Sequence, residues 1–449
     1  MLRNFNLAKR LHLLAFCFAI VLSSAGTSQA QDTVTLTNKK GETIEVIVGD
    51  DEKKDDRVPV DVAILLDTSN SMDGLINQAR NQLWQIVQRL SVTEKDGRAP
   101  ALRVSVFEYG NTNLPATENF IRQVLPLSDD LDKVSEALFG LKTSGGDEYC
   151  GAVIGEAIKR LDWSGDDAAY KSIFIAGNEP FTQGQISYLN TCADAKEKGI
   201  IVNTIHCGDH STGVKGMWAD GASKGAGQSF NINQDRKQVT IKCPQDKVLI
   251  ELNTKLNKTY LWFGKKSVRK MNLSNQIAQD TNAAFGTNVQ GAMGGMGGAG
   301  FGGGGLGGRM GGRMGGGMGG GGGMGMGQAP APAFSGRVAS KASKIYDNRS
   351  RDLVDAEGAE KGAVEKIEKD KLPEEMQKMS VAERKAHVAK KAKERKQIQE
   401  QIKKVAKERE AHLAAERKKQ GEAGDTFGDA ICAAIDKQLA EQGFSKTKR

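Results

Sequence analysis

A continuous apolar run followed at once by a polar pentad constrains this chain more than any other feature. Residues 62–66 are all apolar, and residues 67–71 read Asp-Thr-Ser-Asn-Ser. Such a run is typical of a strand buried on both faces of a sheet, and ligands of open α/β sheets bind at the carboxyl ends of strands. The pentad places one carboxylate and two hydroxyls on one tight loop, and Mg²⁺ prefers such oxygen ligands. We therefore predict a metal site that contains Asp67, Ser69 and Ser71.

Apolar strands alternate with helical patterns from Val58 to about residue 255, which favours an α/β domain with a mostly parallel sheet. Five apolar residues at helical spacing follow the first strand and should cover the sheet; they are Leu75, Ala79, Leu83, Ile86 and Leu90. We expect six strands, near residues 60–66, 102–109, 120–126, 172–176, 200–206 and 228–232.

The pentad and the pattern around it resemble the metal-ion-dependent adhesion site of von Willebrand factor type A (VWA) domains, and in particular exported bacterial members of unassigned function. The resemblance covers roughly residues 58–255. It implies a doubly wound, Rossmann-like sheet of six strands, and a bound Mg²⁺, or Mn²⁺ or Ca²⁺, held by three loops. It further implies that the cation offers an open coordination position to an acidic residue of a protein partner.

The second loop of the family pattern supplies a threonine or an acidic residue. Asp147 is the candidate that the resemblance favours here, because it stands at the expected separation from the following helical run. Glu148 and Thr143 are the alternatives if the loop is set differently. The metal site predicted from sequence is therefore Asp67, Ser69, Ser71 and Asp147.

The third loop departs from the family pattern. Gly177 stands where the family commonly has an aspartate, so a carboxylate is missing and the affinity and metal preference stay open. Asn178 or Glu179 are candidates to reach the ion or a ligating water. The alternative for Glu179 is that it only caps the next helix.

The first thirty residues have the composition of a secretory signal. Three basic residues precede an apolar stretch at residues 11–22, and Ser28-Gln29-Ala30 offers a small-x-small cleavage site. We expect an exported protein, periplasmic or extracellular, without a transmembrane segment after cleavage. Residues 31–57 predict a β-hairpin followed by a charged spacer.

Export would permit disulfide bonds. Five cysteines follow the signal, an odd number, so at least one thiol stays free or pairs between chains; they are Cys150, Cys192, Cys207, Cys243 and Cys432. The sequence leaves their pairing open. A zinc site at His206, Cys207 and His210 is a weaker alternative, because the paired Cys-x-x-Cys spacing is absent.

The C-terminal half differs from the VWA-like part in composition and charge. Residues 256–290 extend the domain, residues 291–336 predict a disordered Gly/Met-rich linker, and residues 337–449 predict a basic helical tail for which a coiled coil is an open alternative. Residues 58–255 hold 20 Lys/Arg and 25 Asp/Glu, a net charge of −5, whereas residues 256–449 hold 35 and 22, a net charge of +13. The tail could therefore contact an anionic envelope surface, and export makes nucleic acid an improbable partner.

These features favour a binding module over an enzyme. The chain lacks a Gly-x-Ser-x-Gly elbow, a His-Glu-x-x-His motif and a phosphate-binding loop. The leading prediction is that the metal site engages an unidentified protein ligand through an acidic residue. The alternative is an envelope scaffold or assembly factor that acts through its helical tail, with a mainly structural VWA domain.

Overall fold

A computed structural model describes residues 18–20, 33–38, 43–47, 56–72, 76, 84, 87, 89–90, 93–232, 241, 243–285, 332–419 and 427–446. The chain divides into two compact units, residues 1–56 and residues 57–449. Most of the predicted signal, residues 291–331 of the predicted Gly/Met-rich linker and four predicted helix positions (Leu75, Ala79, Leu83 and Ile86) lie outside the described residues. Residues 332–336, the predicted end of that linker, are helical instead.

The first unit contains a three-stranded antiparallel sheet, with β1 at Phe18–Ile20, β2 at Thr33–Asn38 and β3 at Thr43–Ile47. Strands β2 and β3 pair with Leu36 opposite Ile44, in the hairpin arrangement that their alternation predicts. Strand β1 falls inside the predicted signal, for which no strand is predicted.

The second unit is built on a six-stranded sheet, which confirms the predicted fold class. The sheet consists of β4 (Val58–Asp67), β6 (Pro100–Tyr109), β7 (Ile121–Ser128), β8 (Tyr170–Gly177), β9 (Ile201–Cys207) and β10 (Ala226–Ile232). Their order is β10-β9-β8-β4-β6-β7, and only β7 runs antiparallel to its neighbour. A short strand β5 (Thr93–Lys95) pairs separately with β11 (Phe444–Lys446) at the end of the chain.

Helices cover both faces of the sheet. The helix after β4 contains the buried residues Ile76, Trp84, Val87 and Leu90. The others are α1 (Leu131–Gly140), α2 (Cys150–Arg160), α3 (Tyr188–Glu197), α4 (His210–Lys215), α5 (Trp218–Lys224), α6 (Gln245–Asn257), α7 (Lys266–Phe285), α8 (Pro332–Lys341), α9 (Leu353–Ala359), α10 (Ala363–Lys366), α11 (Val381–Lys419) and α12 (Phe427–Glu441). Short 3₁₀ turns occur at Asn70–Met72, Ala116–Glu118, Lys369–Lys371 and Glu374–Met376.

Strand β4 is buried on both faces, as its apolar run predicts. Val62, Ile64 and Leu66 pack into one core, whereas Ala63 and Leu65 pack into the core on the other face. This division follows from the two-residue period of a strand. Asp67 is two residues beyond Leu65, so its side chain lies on the same face as Ala63 and Leu65. This is also the point at which the strand leaves the sheet.

The C-terminal helices pack onto the VWA-like part through a buried polar cluster. The Arg337 guanidinium on α8 donates to Asp132 on α1 (2.8 Å) and to Asp280 on α7 (2.6 Å). Lys341 Nζ lies 3.1 Å from the same Asp280 carboxylate. Because Arg337 and Lys341 are fully buried, two of the basic residues of the predicted tail form an internal contact.

Helix α12 makes a second contact of this kind. The Gln438 side chain accepts a hydrogen bond from Tyr170 Oη (2.8 Å) and donates one to Asn203 Oδ1 (2.7 Å). Tyr170 and Asn203 belong to β8 and β9, so the last helix reaches the central sheet. Residues 332–419 and 427–446 are therefore part of the same compact unit as the sheet.

Candidate functional site

The first loop of the site begins at the last residue of β4. Asp67 Oδ1 accepts a hydrogen bond from the Ser69 N–H (2.7 Å), and the Oγ atoms of Ser69 and Ser71 lie 3.1 Å apart. Asp67 and Ser69 are buried, whereas Ser71 on the 3₁₀ turn is exposed. The predicted carboxylate and both predicted hydroxyls therefore converge, with Ser71 on the solvent side.

Neighbouring loops hold this turn in place. The Thr68 N–H donates to the Tyr109 carbonyl of β6 (2.9 Å), and the Thr68 carbonyl accepts from the Ser144 N–H (2.9 Å). Ser144 follows Thr143, one of the alternative ligands, and both belong to the segment between α1 and α2. The second loop of the site is thus fixed to the first through Thr68.

On the second loop the structure places Glu148, and not Asp147, beside Asp67. Asp147 is exposed, and its Oδ2 accepts a hydrogen bond from Tyr149 Oη (3.0 Å). Glu148 is buried, and a Cβ added at Gly110 would lie 2.6 Å from Glu148 Cγ and 2.9 Å from Asp67 Oδ1. The two carboxyl side chains therefore share the space over Gly110.

The structure therefore favours Glu148 over Asp147, which reverses the order predicted from sequence. The Glu148 N–H donates to Gln183 Oε1 (3.0 Å), which fixes the backbone of the loop just before α2 begins at Cys150. With the backbone held there, the side chain at 148 points to the buried side and the side chain at 147 to solvent. Spacing from the helix alone did not contain this information.

The surroundings of both carboxyl groups disfavour the charged form. Burial raises the pKa of Asp67 to about 6. Burial, and after it the charge of Asp67, raises the pKa of Glu148 to about 9. In the described part of the chain, the buried Asp67 Oδ2 and Glu148 Oε2 have no donor when both groups are ionised, whereas a protonated Glu148 shares its proton with Asp67. Buried polar atoms of this kind call for an explanation such as an ion, and a cation would supply the missing interaction for both.

The packing around the third loop explains why a glycine stands at position 177. A Cβ at Gly177 would lie 2.5 Å from Tyr109 Oη and 3.2 Å from Asp67 Cβ. Tyr109 Oη donates to the Ala176 carbonyl (3.0 Å), and burial raises the pKa of this phenol far above its usual range. A neutral phenol from β6 therefore occupies the space beside Asp67 and leaves no room for a side chain at position 177.

Asn178 rather than Glu179 contacts the first loop. Asn178 Oδ1 accepts a hydrogen bond from Ser71 Oγ (3.3 Å). Glu179 is half-buried and its backbone carbonyl accepts from Trp218 Nε1 (2.9 Å). Helix α3 starts at Tyr188 after Ser187, so the idea that Glu179 caps the next helix is wrong.

The zinc alternative is not supported by the geometry. His206 is buried with Nδ1 2.7 Å from Asn231 Oδ1, while His210 is exposed at the start of α4. Among the residues that the structure describes, no group of three or more His, Cys, Asp or Glu side chains is arranged to hold a metal. The site at Asp67 differs from such a cluster because it combines two carboxylates with hydroxyl and amide oxygens. The thiols of Cys150, Cys192 and Cys207 are buried and form no disulfide.

Fold and site together define an open α/β sheet protein whose polar site lies where the strand order reverses, between β4 and β8. A family model described as the von Willebrand factor type A domain matches residues 61–238. The chain therefore contains a VWA domain, as the pentad predicts. No helix in the described ranges is long and apolar enough to cross a membrane.

Several solved structures are similar to this domain. BatB from Bacteroides thetaiotaomicron is 17% identical over 39% of this chain and 90% of its own, with a TM-score of 0.30. The SpRpn10 VWA domain is 17% identical over 39% and 89%, also with a TM-score of 0.30. Proximal thread matrix protein 1 from the mussel byssus, with a zinc-occupied MIDAS motif, is 15% identical over 40% and 43%, with a TM-score of 0.29. A search of curated proteins found no significant match.

Proposed function

We propose that the VWA domain binds a divalent cation, Mg²⁺ foremost, through Asp67, Ser69, Ser71 and Glu148, and engages an acidic residue of a protein partner through that cation. The observation that carries the proposal is the pair of buried oxygens, Asp67 Oδ2 and Glu148 Oε2, which have no donor in the described part of the chain when both groups are ionised. Burial and the neighbouring charge of Asp67 raise the pKa of Glu148 to about 9, so Glu148 is protonated at neutral pH unless a cation binds between the two carboxyl groups.

The ligand set favours binding over catalysis. Ser69 and Ser71 are neutral, so the proposed ligands themselves offer two negative charges to a doubly charged ion. Tyr109 excludes a side chain at position 177. Burial chiefly raises the pKa of Asp67, and Glu179 lies close enough for its charge to raise that pKa further. A cation held in this way keeps an affinity for an external carboxylate, and the exposed Ser71 marks the side from which it would arrive. We propose no enzymatic step.

Metal titration of the purified protein by calorimetry tests the ligand set. We expect one site for Mg²⁺ or Mn²⁺, with Ca²⁺ and Zn²⁺ as comparison ions. Asp67→Ala should abolish binding, and Glu148→Gln should weaken it at least tenfold, which is about 1.4 kcal/mol. The matched control is Asp147→Asn, one residue away, which should change the affinity less than twofold.

The opposite ranking would overturn this ligand set. If Asp147→Asn removed binding while Glu148→Gln left it unchanged, the second loop would be set as the family spacing first indicated. Unchanged metal binding in Asp67→Ala would remove the site altogether.

The partner and the location are part of the proposal. We infer an exported protein, from its signal-like first thirty residues, that meets its acidic ligand in the envelope or outside the cell. Affinity capture from envelope extracts, with Mg²⁺ and with chelator, should yield a partner that chelation releases. Partners that persist with chelator would instead favour the scaffold function.

The scaffold function has one observation in its favour. Helix α11 is 39 residues long, and most of its lysines are exposed. Added salt should weaken a contact through this helix, because salt screens exposed charges, whereas chelation should weaken only a contact through the metal. The two treatments therefore separate the two functions on the full chain.

A further inference from the structure

A cleft of about 950 Å³ lies at the end of the domain opposite the metal loop. It is bordered by the segment from β5 to the first residues of β6, by α8 with the turn that follows it, and by the second half of α11. Strand β6 begins at Pro100 in the cleft and ends at Tyr109 beside Asp67. At about 3.3 Å per residue, the cleft and the metal site are about 30 Å apart, so the cleft is a separate site.

The lining of the cleft is predominantly apolar. Ala99, Pro100, Ala339, Ala342 and Ile345 contribute to it, together with other small residues. Small-molecule sites typically have volumes of about 300–1,000 Å³ and combine apolar walls with a few polar groups. The cleft has a volume in this range and the same combination of apolar wall and polar groups.

Cations outnumber acids among the lining residues, with five Lys or Arg against three Glu. Lys403 is paired with Glu400 (2.8 Å), and Arg409 Nε is anchored on the buried Asp246 (2.7 Å). The remaining lysines are exposed and have no ion-pair partner in the described ranges; they are Lys344, Lys404 and Lys407. Against these three lysines stands Glu94, the lining acid without an ion pair in the described ranges, so the cleft presents a net positive charge beside its apolar lining.

We propose that this cleft binds an anionic amphiphile, with a single acyl chain against the apolar lining and a carboxylate or phosphate head at the lysines on its rim. The proposal rests on charge complementarity with the three unpaired lysines and on the apolar lining. A free fatty acid and a lipid phosphate share this chemistry. The proposal is independent of the metal site and of the function proposed for it.

Binding of three probes to the full chain tests the chemistry. Dodecanoate, dodecyl phosphate and the neutral dodecyl maltoside share one acyl length, and calorimetry below their micellar concentrations measures their affinities. We expect both anionic probes to bind and the maltoside to bind at least tenfold more weakly. A preference for the phosphate or for the carboxylate would identify the source of the headgroup. Equal binding of the maltoside, or no binding of either anion, would overturn the proposal.

Variants on α11 test the location. The double variant Lys404→Glu/Lys407→Glu should weaken binding of dodecyl phosphate at least tenfold. The matched control, Lys390→Glu/Lys393→Glu, has the same spacing on the same helix but lies outside the cleft, and should change the affinity less than twofold. If the two double variants weakened binding equally, the probe would be attracted by the basic helix in general and not by the cleft. That result would overturn the proposal.

A third variant separates the hydrocarbon contact from the charge. Ala339→Trp fills the cleft without altering its lysines, and should abolish binding of both anionic probes while far-UV circular dichroism shows the native helix content. If Ala339→Trp, with that helix content retained, bound dodecyl phosphate normally, the acyl chain would lie elsewhere and the proposal would fail. An acidic hexapeptide that bound as tightly as dodecyl phosphate would also overturn it, because the cleft would then be a peptide site.

Discussion

Replacing Arg337 by methionine tests whether the C-terminal helices are an integral part of the folded unit. The Arg337 side chain is 0% exposed and forms ion pairs with Asp132 and Asp280 at 2.8 and 2.6 Å. Its guanidinium also lies 5.1 Å from the centre of the Trp84 ring. Methionine keeps much of the volume and removes the charge, so the variant isolates the electrostatic contact.

The expected cost follows from what each carboxylate retains. Asp280 keeps Lys341 and two hydrogen bonds from Asn253 and Asn257. Among the described residues, the Asp132 carboxylate keeps the hydrogen bond from Tyr346 Oη (2.8 Å) but no cation. Removing one partner of a buried ion pair typically costs about 3–5 kcal/mol, since a buried charge is left uncompensated. We expect Arg337→Met to lower the free energy of unfolding by that amount.

Urea unfolding followed by far-UV circular dichroism measures the change. The matched control is Arg349→Met, because Arg349 also pairs with an aspartate, Asp347, but its side chain is 42% exposed. An exposed pair typically contributes about 0–1 kcal/mol. If Arg337→Met cost no more than Arg349→Met, the buried cluster would not join the C-terminal helices to the domain, and the reasoning would be refuted.

Three further predictions concern the site, the pH dependence and the chain connection. Gly177→Asp should not improve metal binding, and it should lower stability by about 1–3 kcal/mol through overpacking against Tyr109. Thermal melting of this variant and of Gly177→Asp/Tyr109→Phe measures the effect. An unchanged melting temperature in the single variant would contradict the prediction. Burial alone would raise the pKa of Asp280, but the charges of Lys341 and Arg337 outweigh it and hold the pKa well below its usual range. Because the folded pKa is depressed, this stabilisation is present above the ordinary value of 3.8 and is lost as the pH falls below it; Asp280→Asn should therefore flatten the acid limb of a stability profile, and an unaltered limb would argue against it. Trypsin cleavage at Arg309 or Arg313 should give two fragments that co-elute in native gel filtration and separate in urea, whereas separation in native buffer would show that the buried contacts do not hold them.

The sheet and the first loop were predictable because their signals are local. The two-residue and 3.6-residue periods identify strands and helices from a few neighbouring residues, and all six predicted strands of the main sheet are present. Asp67, Ser69 and Ser71 lie within one turn, so their convergence follows from the loop itself. Between Asp147 and Glu148 the choice was not local, since it depends on Gln183, which belongs to a different loop.

The charge of the site depends on a pair of residues that no local pattern connects. Tyr109 and Gly177 come from different strands, yet the register that pairs Asp67 with Tyr109 brings the phenol against the glycine. From the sequence alone, Gly177 suggests a weakened metal site. The structure shows that the Tyr109 phenol fills the space that a side chain at position 177 would need. The glycine at position 177 and the buried phenol of Tyr109 are thus two parts of one packing arrangement. It leaves Asp67 and Glu148 as the carboxyl groups with unpaired buried oxygens at the site in the described part of the chain, so a bound cation would depend on both of them.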